Sequence, residues 1–169
     1  GIETTTDSLL LHIDADRITP ADEELIPHGQ FRDVAGNLFD FRTPKPIGRD
    51  INEDYEALQL QGGYDHNYEV FCNPCAQLAD KGSGRMMAVY TDLPGIQFYA
   101  GNFLDGSFMG KGGIAYPKRS GLCFETQHYP DSPNQPHFPS TTLRPGEQYT
   151  TRTIYKFTKI DEKNYLPYW

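Results

Sequence analysis

Three polar side chains, far apart along the chain, have the types and settings to handle a ligand rich in hydroxyl groups. Glu125 directly follows the apolar run Leu122 to Phe124 in G-L-C-F-E-T-Q, which puts a carboxylate at a strand's end. Strand alternation sends Glu125 and Gln127 to one face and Thr126 and His128 to the other. A carboxylate serves as a general base when partial burial raises its pKa toward neutrality, and Leu122 and Phe124 point to such burial. The structural alternative is a strand-end Glu paired with Arg119 or Arg144. Asp65 lies in G-G-Y-D-H-N-Y between Tyr64 and Tyr68, at the start of another strand. A carboxylate amid aromatics is a natural acceptor for sugar hydroxyls; its ordinary alternative is a strand-start Asp bonding turn amides. Gln97, in P-G-I-Q-F-Y-A-G-N, offers two donors and an acceptor, suited to a pair of hydroxyls. Of the next two residues, Phe98 and Tyr99, alternation turns one to the core and one to the ligand side. Asn102 reads as a brace for its loop.

The elements that must position these groups are strands. Leu9 to Ile13 reads as a strand continued by Asp14 to Ile18 and broken at Thr19-Pro20. Further strands are expected at 64–71, 77–79, 85–91, 96–100, 122–129 and 149–159, separated by N-P, G-S-G and L-P-G turns. Residues 30–47 form an irregular connection packed by its aromatics. One short helix is expected over Asn52 to Leu60, with Ile51, Tyr55 and Leu58 on a shared face and Asn52 as its cap. Residues 105–118 are Gly-rich and read as a long mobile loop. The prolines 130, 133, 136 and 139 end the strand that carries Glu125 in a stiff loop. The pattern is all-β, a sandwich or barrel with at most one short helix. Residues 1–160 read as one unit and 161–169 as a C-terminal tail.

Composition narrows the partners. A net charge of −8 argues against nucleic acid and against an anionic membrane, both of which call for clustered Lys and Arg. No stretch approaches the ~18 apolar residues of a membrane span, and G-I-E-T-T-T-D lacks the regions of a signal peptide. Three cysteines do not form a disulfide framework, so a reducing, cytoplasmic setting is expected. C-N-P-C at 72–75 has the spacing of half a zinc site or a redox pair, but without a second pair it reads as two thiols at a hairpin.

Five stretches together resemble the aldose 1-epimerases, the galactose mutarotases. They are R-I-T-P-A-D-E-E-L-I-P, G-Y-D-H-N-Y, V-Y-T-D-L-P-G-I-Q-F-Y-A-G-N-F-L-D-G, G-L-C-F-E-T-Q-H-Y-P-D-S-P-N-Q-P-H-F-P and L-R-P-G-E-Q-Y. They cover most of residues 9–158 in the family's order. The resemblance implies part of a large antiparallel β-sandwich that binds an aldohexose, galactose or glucose, in a shallow groove and needs no cofactor or metal. It implies Glu125 as the general base and Asp65 and Gln97 as substrate contacts. Mutarotation also needs an acid at the ring oxygen. The family's N-H-x-Y-F-N-L motif, and the His and Arg further upstream, do not occur in these 169 residues. His12, His28, His66, His128 and His137 match none of them and read as structural. The chain therefore resembles the C-terminal half of such an enzyme, beginning just after that motif. It is expected to be inactive alone and to expose sheet edges and an apolar face that invite association. Two alternatives are a non-catalytic sugar-binding sandwich of the same superfamily and, less favoured, a glycosidase using Asp65 and Glu125 as its carboxylate pair.

Overall fold

The computed structural model describes residues 5–160. Among them the chain forms ten strands: β1 (Leu10–Ile13), β2 (Arg17–Thr19), β3 (Arg32–Asp33), β4 (Lys45–Pro46), β5 (Asp65–Glu69), β6 (Ala76–Asp80), β7 (Arg85–Thr91), β8 (Gly95–Tyr99), β9 (Cys123–Gln127) and β10 (Thr153–Lys159). One short α-helix, α1 (Glu56–Leu60), joins them, with a few single turns of 3-10 helix. The strands make two five-stranded sheets, ordered β10-β7-β6-β1-β4 and β3-β2-β5-β8-β9, with every pairing antiparallel. The all-β class and the near absence of helix follow the sequence. The tail expected over 161–169 lies outside the described residues.

The first expected strand divides. Leu11, Ile13 and Ala15 are buried at odd positions, but the next buried apolar residue is Ile18. A one-residue slip in alternation turns the chain over. Here it carries the chain from β1 in one sheet to β2 in the other. The 72–75 connection is likewise a crossover between sheets, from β5 to β6, rather than a hairpin. Asn73 straps it to β7 by bonds between its side chain and the Thr91 backbone, 2.8 and 3.0 Å. Cys75 is buried, its thiol pushed up to about 11 by desolvation, while Cys72 is exposed; both are free. The helix starts later than expected, at Glu56 with Tyr55 in the N-cap position, and Asn52 instead accepts from Arg119 Nη2 at 2.7 Å. Residues 105–118 close on themselves as a small hairpin around G-K-G-G, with Gly106 and Gly110 amides bonded to the Tyr116 and Ile114 carbonyls at 2.9 and 2.7 Å.

Between the sheets sits an aromatic core. The 30–47 stretch, expected to be irregular, contributes the edge strands β3 and β4 to the two sheets. Between those two strands Phe39 and Phe41 fill the space against Tyr64, Tyr68 and Phe98; Phe41 lies 5.1 Å from Tyr64 and 6.0 Å from Phe98, both edge-on. Edge-on pairs add to simple burial because positive ring edges meet negative faces. The buried hydroxyls find carbonyls: Tyr64 donates to Leu38 O at 3.0 Å and Tyr68 to Phe39 O at 3.3 Å. Along β10 the core opens to solvent. In one cross-strand row Ile13, Ala76 and Val89 are buried, but Tyr155 is 44% exposed; one row on, Phe157 is 74% exposed.

Candidate active site

Register places the site residues. In the second sheet Thr19, Asn67, Gln97 and Glu125 lie directly opposite one another across β2, β5, β8 and β9. The neighbouring row is Asp65, Tyr99 and Cys123, and on the other side Arg17, Glu69, Gly95 and Gln127. All three rows share a face, because directly opposed residues and those two apart point the same way. Alternate residues Ile18, His66, Tyr68, Ile96, Phe98 and Phe124 are buried on the inner face. One sheet thus has an aromatic, apolar underside and an upper side of amides, carboxylates and hydroxyls. Phe98 is the inward member of its pair and Tyr99 the outward one.

Asp65 is half-buried at the head of β5. Gln97 Nε2 donates to its Oδ1 at 2.8 Å. Burial raises the Asp65 pKa, and the Gln97 bond partly offsets that rise. The entry to β5 is clamped by Asn102, whose Nδ2 donates to Tyr64 O at 2.9 Å. Gly63, at φ 145°, allows this approach: a Cβ there would lie 2.2 Å from Asn102 Oδ1. The expected bracing role of Asn102 is what the geometry provides.

Glu125 sits mid-strand in β9, not at its end, and it is exposed. The expected burial by Leu122 and Phe124 does not occur, because alternation turns both inward; Phe124 stacks on Phe98 with centroids 5.5 Å apart. The alternative pairing of Glu125 with Arg119 does not form either, since Arg119 bonds Asp7 and Asn52 at 3.3 and 2.7 Å. β9 is secured from beneath by β10: Tyr155 donates to Phe124 O at 2.7 Å, and Thr126 and Thr153 share a hydroxyl bond at 2.5 Å. Cys123, one row from Glu125, has its thiol pKa raised by burial and then by the charges of Glu125 and Asp65. Its thiol thus lies within electrostatic reach of both carboxylates.

His66 and His128 stay off this face. His66 is buried beneath it, 4.5 Å from Phe39, with its pKa lowered to about 3 by desolvation and by Arg32. Its Nδ1 accepts from the Asp65 amide at 3.0 Å. His128 lies beyond the end of β9, its ring 6.3 Å from Tyr149. Beside β9, the proline-rich loop is pinned by mutually packed rings, with Tyr129, Phe138 and Phe31 5.1–5.5 Å apart. Thr19, Asn67, Glu69, Tyr99 and Gln127 were not singled out as site residues from sequence. Alternation alone shows which of them share a face within a strand; only register shows that they meet across strands.

The chain is thus a two-sheet antiparallel sandwich with carboxylates and amides on one face of its second sheet. The chain belongs to the aldose 1-epimerase family, which it matches over residues 1–156. It is similar to galactose mutarotase of Bos taurus, 47% identical over 150 residues, covering 86% of this chain and 42% of that protein. Two solved structures are also similar. The aldose epimerase homologue from C. elegans aligns with a TM-score of 0.81 and 30% identity, over 93% of this chain and 47% of that one. The galactose 1-epimerase of Lactobacillus acidophilus NCFM aligns with a TM-score of 0.79 and 31% identity, over 92% and 45%. The chain spans less than half the length of these proteins. Among the described residues, no helix is long and apolar enough to cross a membrane.

Proposed function

We propose that these residues form the sugar-gripping and base-bearing portion of an aldose 1-epimerase that interconverts the α and β anomers of an aldohexose, galactose or glucose. Glu125 takes the proton of the C1 hydroxyl. The C1–O5 bond breaks as O5 is protonated, leaving an open-chain aldehyde. C1–C2 rotates by half a turn, and reclosure on the other carbonyl face returns both protons and gives the other anomer. Asp65 accepts from sugar hydroxyls and Gln97 binds beside it. No cofactor is required, since the cycle moves only protons.

The observation that carries this reading is the shared row and face: Glu125 stands directly across from Gln97, and Gln97 is bonded to Asp65 at 2.8 Å. Glu125 itself is exposed. Its activation, and the acid at O5, come from the part of the family's fold that these residues do not include. The β9–β10 edge lies open, with Phe157 74% exposed, and offers that part a seat. The glycosidase alternative has no comparable support, since the family's description is an epimerase's. Polarimetry of freshly dissolved α-galactose tests the proposal. A longer protein that joins this chain to a family N-terminal half carrying N-H-x-Y-F-N-L should accelerate the change in rotation, and the 169-residue chain alone should not exceed buffer. Sugar binding without acceleration by the longer protein would favour the non-catalytic sugar-binding module instead.

A further inference from the structure

We propose that Gln127, braced by Asn67, is a positioning residue that holds the Gln97 amide with its nitrogen toward Asp65. The two ends of a glutamine amide have nearly the same shape, and only their partners decide which way it faces. Here both ends are specified. Gln97 Nε2 donates to Asp65 Oδ1 at 2.8 Å, and Gln97 Oε1 accepts from Gln127 Nε2 at 3.2 Å. Gln127 Nε2 also donates to Asn67 Oδ1 at 3.1 Å, and Asn67 Nδ2 donates to Thr19 Oγ1 at 3.2 Å. Both partners of the Gln127 nitrogen are oxygens, so that amide cannot turn without losing both bonds.

The bridge spans an intervening strand. Asn67 is on β5 and Gln127 on β9, with β8 between them, and the β8 residue opposite Gln127 is Gly95. A Cβ at Gly95 would lie 2.5 Å from Asn67 Oδ1 and 3.2 Å from the Gln127 carbonyl. The missing side chain is what lets the two amides meet above the strand. Asn67 and Thr19 are buried, at 2% and 3% exposure, so the far end of the network is rigid. One row on, Glu69 is buried at 5%, bonded to Arg17 Nε at 2.5 Å and to the Tyr129 hydroxyl at 3.3 Å. Within E-T-Q, Glu125 and Gln127 are two apart and share a face, so one short motif carries both the proposed base and the brace. With its oxygen taken by Gln127, Gln97 meets a ligand as a donor, beside a carboxylate that only accepts.

The test has an arm independent of turnover. In the protein as the cell makes it, Gln127→Met keeps the side-chain length and removes the donor. The Gln97 side-chain amide signals in nitrogen-15 NMR should shift and lose order, as Asp65→Asn would also cause. Gln127→Glu should shift them further, because its carboxylate competes with Asp65 for the Gln97 nitrogen. The second arm rests on the epimerase reading: KM for galactose should rise about five-fold in Gln127→Met, with kcat unchanged because Glu125 is outside the network. Gly95→Ala displaces Asn67 from the other side and should act in the same direction, which keeps the test available if Gln127→Met does not fold. Unmoved Gln97 signals overturn the proposal. So does a KM increase with unmoved signals, which would make Gln127 a direct sugar contact. Shifted signals in a protein that neither binds nor turns over galactose leave the network standing and remove the epimerase reading.

Discussion

Asp65 and Glu125 share one face of one sheet, yet their surroundings differ. Asp65 is half-buried, bonded to Gln97, and seated at a strand entry locked by Asn102. Glu125 stands exposed on the edge strand β9, with only Gln97 opposite it. The end of the face proposed to grip hydroxyls is therefore held by this chain's own bonds, while the end proposed to transfer protons is not. The same asymmetry runs through the core, which is closed by Phe39 and Phe41 but opens to water along β10. The edge that carries Glu125 is also the side on which the sandwich lies open.

Four substitutions break or sharpen this contrast. Glu125→Gln, in a protein that includes the family's acid, should lower kcat by about 10²–10⁴-fold in polarimetry with little change in KM. A loss confined to KM would move Glu125 to the gripping end. Phe98→Ala removes the ring that joins the inner face to Phe41, Tyr64 and Phe124, and should cost about 3–5 kcal/mol in urea unfolding. Both ends of the site should then fail together.

Asp65→Asn should raise KM about ten-fold or more, the loss of a charge-assisted hydrogen bond, with kcat largely kept. It should also raise the thermal midpoint at pH 7. Burial raises the folded-state pKa of Asp65, so the folded chain holds that proton to higher pH than the unfolded chain does. Stability from this group is thus present below the ordinary carboxylate range and lost as pH rises through the folded value. The gain from Asp65→Asn should shrink toward about pH 3, and a midpoint difference that does not vary with pH would refute it. The smallest effect on stability is expected from Phe157→Ser, within ~0.5 kcal/mol, because the ring is 74% exposed. Size-exclusion chromatography should nonetheless show less self-association of the 169-residue chain. A wild-type chain that is already a compact monomer would speak against the open edge as a docking side.

Much of the fold was legible because β-structure follows local pattern. The strand Arg85–Thr91 falls where expected and most others lie within a few residues of their expected spans, but the two-residue strands β3 and β4 fall in the 30–47 stretch read as irregular. The failures have local causes. Asp14 to Asp16 looked like continued strand, but the parity of Ala15 and Ile18 carries the chain to the other sheet. Asn52 looked like a helix cap, but Arg119, distant in sequence, claims its side chain. Glu125 was expected to be buried by its chain neighbours, yet alternation turns Leu122 and Phe124 away from it.

By itself the sequence determined which residues alternate, where the chain turns, and that Asp65, Gln97 and Glu125 carry groups able to bond hydroxyls. Those are properties of side chains and their nearest neighbours, set by pleat and turn geometry. Only the tertiary structure decided that Gln97 and Glu125 stand in one row, that Gln127 reaches Asn67 over Gly95, and that His66 lies beneath the face. Cross-strand register depends on hydrogen-bond pairing between segments tens of residues apart, and no local pattern encodes it.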